Sequence, residues 1–199
     1  MLKIETIWHH MLYLAIEKGQ FQNTQQVLAH ELGYSLSTVN SAIRQIADIG
    51  AVEVSSRFFV LRDVKKLLYF WATHRNLKKD IVYQTYVDEP VLEIEGCIPD
   101  KAIFACYTAA RMLLPEPPAD YSNVYVYVDE TTIDTLKKRF PQVKSDNPNL
   151  FVLDAYPKQP DYGLTTTLPQ TFVDVWNLSD WYAKDFLIEL ERSIDGVLS

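Results

Sequence analysis

The chain has 199 residues, 48% hydrophobic and 13% aromatic, enough apolar material for one large or two modest packed domains and too much for a disordered chain. No apolar run approaches the roughly 20 residues that cross a bilayer, and the opening MLKIETIWHH has no apolar leader core, so no membrane partner and a cytoplasmic location are expected. The net charge of −7 is uneven: residues 1–62 hold five basic and five acidic side chains, 63–80 five and two, and 81–199 nine and nineteen. A surface for a polyanion must then lie within the first 80 residues, and the acidic remainder needs another role.

Residues 3–18 carry Ile4, Ile7, Trp8, Met11, Leu12 and Ala15 at helical spacing, which predicts an amphipathic helix ended at Gly19. Asn23 or Thr24 can cap a second helix that buries Val27, Leu28 and Leu32 and stops at Gly33. Ser35 caps a third, with Val39, Ile43, Ile46 and Ala47 inward and Gly50 at its end. Two alternating runs, Ala51–Ser55 and Arg57–Leu61, joined at Ser55–Ser56, read as a short hairpin. Asp63 caps a fourth helix to about Lys79 that joins the two halves.

Beyond it, Ile81–Val87 and Val91–Ile94 read as strands, Asp100–Leu114 as a helix ended by prolines, and Tyr121–Val128 as an alternating strand. A helix over Thr131–Phe140, a strand over Leu150–Ala155 and a loop over Pro157–Leu168 follow. Phe172–Leu178 is ambiguous between strand and helix. Residues 179–197 read as a closing helix capped by Ser179, with Trp181, Tyr182, Phe186, Leu187, Leu190 and Ile194 mainly inward. The expected organisation is an N-terminal domain over 1–62, a connecting helix over 63–80 and an α+β domain of mixed α/β character over 81–199.

Cys97 and Cys106 share no metal-ligand spacing and read as buried free thiols. His9 and His10 are adjacent, so one helix face cannot present both to an ion. No metal or other cofactor is expected.

The functional signal lies in the order helix, helix, Gly-containing turn, helix, short hairpin. The stretch from Thr24 to Leu61, TQQVLAHELGYSLSTVNSAIRQIADIGAVEVSSRFFVL, resembles winged helix-turn-helix regulators along its whole length, through Ala29, Leu32–Gly33, the Ser35–Val39 helix start and Ile49–Val52 leading into the wing. In that layout the third helix enters the major groove of DNA and its first turns meet the base edges. The outward set is Ser37, Thr38, Asn40, Ser41, Arg44 and Gln45. Asn40 and Gln45 have the amide geometry that reads adenine, and Arg44 can read guanine or hold a phosphate. Thr24, Gln25 and Gln26 start the second helix, where free N–H groups and the helix dipole suit a phosphate. Arg57 and Arg62 are the expected wing contacts. So few cations imply modest, salt-sensitive affinity, relieved by Lys65 and Lys66 or by a homodimer on a repeated site.

The second half is similar to AbiEi-type antitoxins, through Ala102-Ile-Phe-Ala-Cys-Tyr-Thr-Ala-Ala110, the strand Val124-Tyr-Val-Tyr-Val128 and Leu168-Pro-Gln-Thr-Phe-Val-Asp-Val175. The resemblance implies the transcriptional regulator of a type IV toxin–antitoxin or phage-defence operon, with a nucleotidyltransferase toxin as possible partner.

Enzymatic chemistry finds little support. No P-loop, GxGxxG or HExxH occurs, nor the Gly-Ser turn and paired aspartates of a nucleotidyltransferase. Glu93 and Glu95 would share one strand face and could hold Mg²⁺, but Cys97 stands where a nuclease-type site needs lysine; solvated carboxylates are the better reading. The expectation is a non-enzymatic, double-stranded DNA-binding transcriptional regulator. The alternative is a protein-interaction adaptor that never touches DNA.

Overall fold

The computed structural model describes residues 1–198, which form two compact units: Met1–Arg75 together with the chain from Ile194, and Asn76–Ser193. The fold class is α+β.

The first unit opens with α1 (Lys3–Lys18), which ends at Gly19 in the left-handed conformation, φ 65°. A two-residue strand β1 (Gln22–Asn23) precedes α2 (Gln25–Leu32) and α3 (Leu36–Asp48). Thr24 and Ser35 cap these helices, their hydroxyls accepting from the backbone N–H groups of Val27 and Thr38 at 3.2 Å each. β2 (Val52–Val54) and β3 (Phe59–Leu61) form an antiparallel hairpin in the register Val52↔Leu61 and Val54↔Phe59. β1 adds to β3 as a third strand, through Gln22↔Val60 and Asn23↔Phe59. Helix α4 (Val64–His74) is capped by Asp63, whose carboxylate accepts from Lys66 N–H at 2.8 Å.

Leu12, Leu28, Val39, Ile43, Phe59 and Trp71 fill the core between these elements. The Trp8 indole donates to the Ala42 carbonyl at 3.1 Å and ties α1 to α3. Val27 departs from expectation: it lies outward, because the inner arc of so short a helix is already filled by Leu28, Ala29 and Leu32. Helix α4 also ends five residues before Lys79. Arg75 is extended and buries its guanidinium 3.9 Å from the Glu5 carboxylate, and Leu77–Asp80 form a separate 3-10 turn.

The second unit holds β4 (Ile81–Thr85), α5 (Val91–Gly96), β5 (Ile103–Ala105), α6 (Cys106–Leu113), β6 (Val124–Val128), α7 (Glu130–Arg139), β7 (Leu150–Asp154), α8 (Leu168–Trp176) and the part of α9 (Ala183–Leu198) before Ile194. Its sheet runs β4-β7-β6-β5, with β6 and β7 parallel and the outer pairs antiparallel. The parallel pair is joined through α7, as a crossover requires. All five residues of β6 are buried, so both faces of the sheet are covered there. Val124, Val126 and Val128 pack with Ile94, Leu136 and Phe140 on one face. Tyr125 stacks on Phe151 (4.6 Å, 9°), and the Tyr127 hydroxyl donates to buried Asp174 at 2.8 Å.

Several local expectations fail in this unit. Val91–Gly96 is a helix, not a strand: Pro90 precedes it, and the turn sends Ile94 and Glu95 into the core together. The expected helix Asp100–Leu114 is split, because Ile103–Ala105 pair with Tyr125–Tyr127 of β6. The strand expected from Tyr121 starts at Val124, and the ambiguous Phe172–Leu178 lies mostly in α8, capped by Thr167. Helix α9 starts at Ala183 rather than after Ser179, which leaves Trp181 82% exposed instead of inward. Cys106 is buried, but Cys97, the C-terminal cap of α5, is exposed. Among the described residues no helix is long and apolar enough to cross a membrane.

Candidate nucleic-acid interface

Three chain segments converge on one open concavity of about 730 Å³ in the first unit: the start of α2, the start of α3 and the β2–β3 turn. Local sequence dictates each wall. The Thr24 and Ser35 caps fix where α2 and α3 begin, so the first turns of both helices line the groove. The hairpin turn is closed by Ser55, whose N–H and hydroxyl both reach the Phe58 carbonyl, at 2.8 and 2.7 Å. That closure presents Ser56 and Arg57 at the tip.

Of the residues singled out from sequence, Thr24, Gln25, Gln26, Ser37, Asn40 and Arg57 line this concavity. Asn40 and Gln25 are joined across it: Asn40 Nδ2 donates to Gln25 Oε1 at 3.2 Å. Ser41 and Arg44 are exposed further along α3, and Gln45 is half-buried. The Thr38 hydroxyl is engaged with Ser35 Oγ at 2.9 Å, within the helix cap. Arg62 sits beside the hairpin with its Nε 2.8 Å from a Glu53 carboxylate oxygen, both side chains well exposed. Of the two lysines expected to assist, Lys65 reaches Asp195 at 2.8 Å and Lys66 lies 3.6 Å from Asp63.

Sequence reasoning missed the apolar part of the wall. Leu36, Val54 and Phe58 line the same groove and are substantially exposed. Helical periodicity marked Leu36 neither as core nor as surface. The third strand was also unannounced, because two polar residues carry no alternation.

Several carboxylates and phenols of the second unit are hydrogen-bonded to one another. Glu95, far from being a solvated strand carboxylate, is buried on α5. It accepts from the Thr108 hydroxyl at 2.7 Å, the Tyr121 hydroxyl at 2.6 Å and Arg111 Nη2 at 2.6 Å. Glu93 is exposed, so the two acids do not form a joint cation site. Burial first, then the Glu95 hydrogen bond, pushes the Tyr121 phenol up to about 12. Tyr107 is raised further by burial and by its 2.7 Å hydrogen bond to Asp180. Phenols held so far above their ordinary range remain protonated donors. Among the described residues no group of three or more metal-ligating side chains gathers.

No family model, no curated protein and no solved structure matches the chain.

Proposed function

We propose that the chain is a DNA-binding transcriptional regulator whose first unit acts as a winged helix-turn-helix. The observation that carries this reading is the shared groove: two helix starts and a hairpin tip meet there, and eight residues with hydrogen-bonding side chains line it. Helix starts carry unpaired N–H groups and positive dipole ends that suit phosphate oxygens. Ser37, Asn40 and Arg44 on α3 offer groups to base edges, and Arg57 on the hairpin offers one to the backbone. The resemblance of the chain to AbiEi-type antitoxins supports a more specific role, autorepression of a toxin–antitoxin operon. In that role the acidic second unit engages a nucleotidyltransferase toxin and performs no catalysis.

The test is a titration of the full chain against duplex DNA from upstream of its own gene, at two salt concentrations, beside a scrambled duplex. Specific binding that weakens with salt is expected, and Arg44→Ala should lose about 1–3 kcal/mol if it reads a base. Equal, negligible binding to both duplexes would remove the proposal. Co-purification with the product of an adjacent reading frame tests the antitoxin role separately.

A second reading rests on Leu36, Val54 and Phe58, an exposed apolar trio in the same groove. Such a surface suits a protein partner, and the first unit would then be an interaction adaptor. A partner that binds undiminished after Arg44→Ala, from a chain indifferent to DNA, would favour it.

A further inference from the structure

We propose that the groove discriminates A·T from G·C base pairs, through an Asn40 side chain held by Gln25 and an apolar contact from Leu36. This inference rests on the DNA-binding reading above and adds to it what the surface selects.

A primary amide carries two N–H donors and one carbonyl oxygen. Asn40 uses one N–H on Gln25 Oε1, 3.2 Å away. What remains on Asn40 is one N–H beside one carbonyl oxygen. In the major groove adenine presents the matching pair, an N7 acceptor and an N6 amino donor. Guanine presents two acceptors, N7 and O6, and would set its O6 against the Asn40 oxygen. Cytosine presents an amino donor alone. The Gln25 contact therefore holds the amide in place in the groove.

Gln25 is left with both N–H groups free of Asn40. It stands in the first turn of α2, beside Thr24 and Gln26, where an amide donor can meet a phosphate oxygen. The pair thus couples backbone position to base reading: Gln25 is a positioning residue, and Asn40 the reader.

Leu36 supplies the second half. It begins α3, is 50% exposed and lines the same groove four residues before Asn40. Residues four apart share one helix face. An apolar side chain beside an adenine-reading amide meets the one apolar group in the major groove, the thymine methyl. Among the groove-lining residues the sole cation is Arg57, on the hairpin, and Arg44, one turn beyond Asn40 on α3, lies outside that lining.

The experiment selects duplexes from a randomised pool with the full chain. Selected sites are then rebuilt with 7-deazaadenine for adenine, or uracil for thymine, one position at a time. One position should require adenine, and its deaza form should bind about fivefold to a hundredfold more weakly. Asn40→Ala should erase preference at that position while the preferences at the other positions of the selected site remain. Uracil at the paired or adjacent position should weaken wild type and leave Leu36→Ala unaffected. Gln25→Ala should broaden the preference at the Asn40-dependent position alone and leave the salt slope unchanged, which a merely structural role would not do. Selected sites dominated by guanine at the Asn40-dependent position, or indifference to 7-deazaadenine, would overturn the inference and leave DNA binding standing. Failure to bind any duplex would overturn both.

Discussion

Glu53→Gln should make the protein a tighter and more salt-sensitive DNA binder. Glu53 faces Val60 in the hairpin ladder, and its carboxylate holds Arg62 Nε at 2.8 Å with both side chains largely in solvent. An exposed pair of this kind contributes about 0.2–1 kcal/mol. Arg62 can contact phosphate only by giving up that pair, so removing the carboxylate should improve affinity by about 1.4-fold to fivefold. One further phosphate neutralised should steepen the slope of log affinity against log salt by about 0.9. Fluorescence anisotropy of a labelled duplex at 50, 100 and 200 mM salt would measure both quantities. Arg62→Ala should cancel the gain in the double variant. Unchanged affinity and slope in Glu53→Gln would refute Arg62 as a backbone contact.

Three further outcomes follow from buried and exposed groups. His9 is fully buried, and burial first, then His10, pulls its pKa down to about 3; the unfolded chain takes up the proton first, so stability is complete above pH 6.5 and lost below it. About 2 kcal/mol should be gone by pH 5 in urea titrations, and His9→Gln should flatten that dependence. Tyr121 lies in the opposite situation: its neutral form is favoured up to about 12 by burial and Glu95, so stability should be complete below pH 10 and fall between 10 and 12. Tyr121→Phe should remove part of that alkaline loss, and an identical profile would contradict it. Finally, a thiol reagent should modify exposed Cys97 in the native protein and buried Cys106 only after unfolding, as peptide mass spectrometry would show.

Most of the first unit was legible because its signals are local. Thr24, Ser35 and Asp63 are caps whose side chains do what their sequence position suggests, and Gly19 and Gly33 occupy left-handed ends. The second unit was less legible because its decisive contacts are distant in sequence. Nothing within Ile103–Ala105 announces a strand; its pairing with β6, some twenty residues on, decides the matter. Val91–Ile94 reads as a short strand-like run, yet burying Ile94 beside Glu95, with partners at Thr108, Arg111 and Tyr121, requires a helical turn. Trp181 shows the same limit: its size argues for the core, but it precedes the helix whose inner face it was assigned to. For the groove, polar outward positions on α3 could be read from periodicity. Leu36 and Phe58 could not, because an exposed apolar residue leaves no periodic trace.

The most direct test of the account maps where duplex DNA touches the chain. Backbone amide shifts recorded while duplex from upstream of the gene is added should move at Gln25, Ser37, Asn40, Arg44 and Arg57, with the β4–β7 sheet unmoved. Shifts absent from those five residues, or concentrated in the acidic second unit, would contradict it.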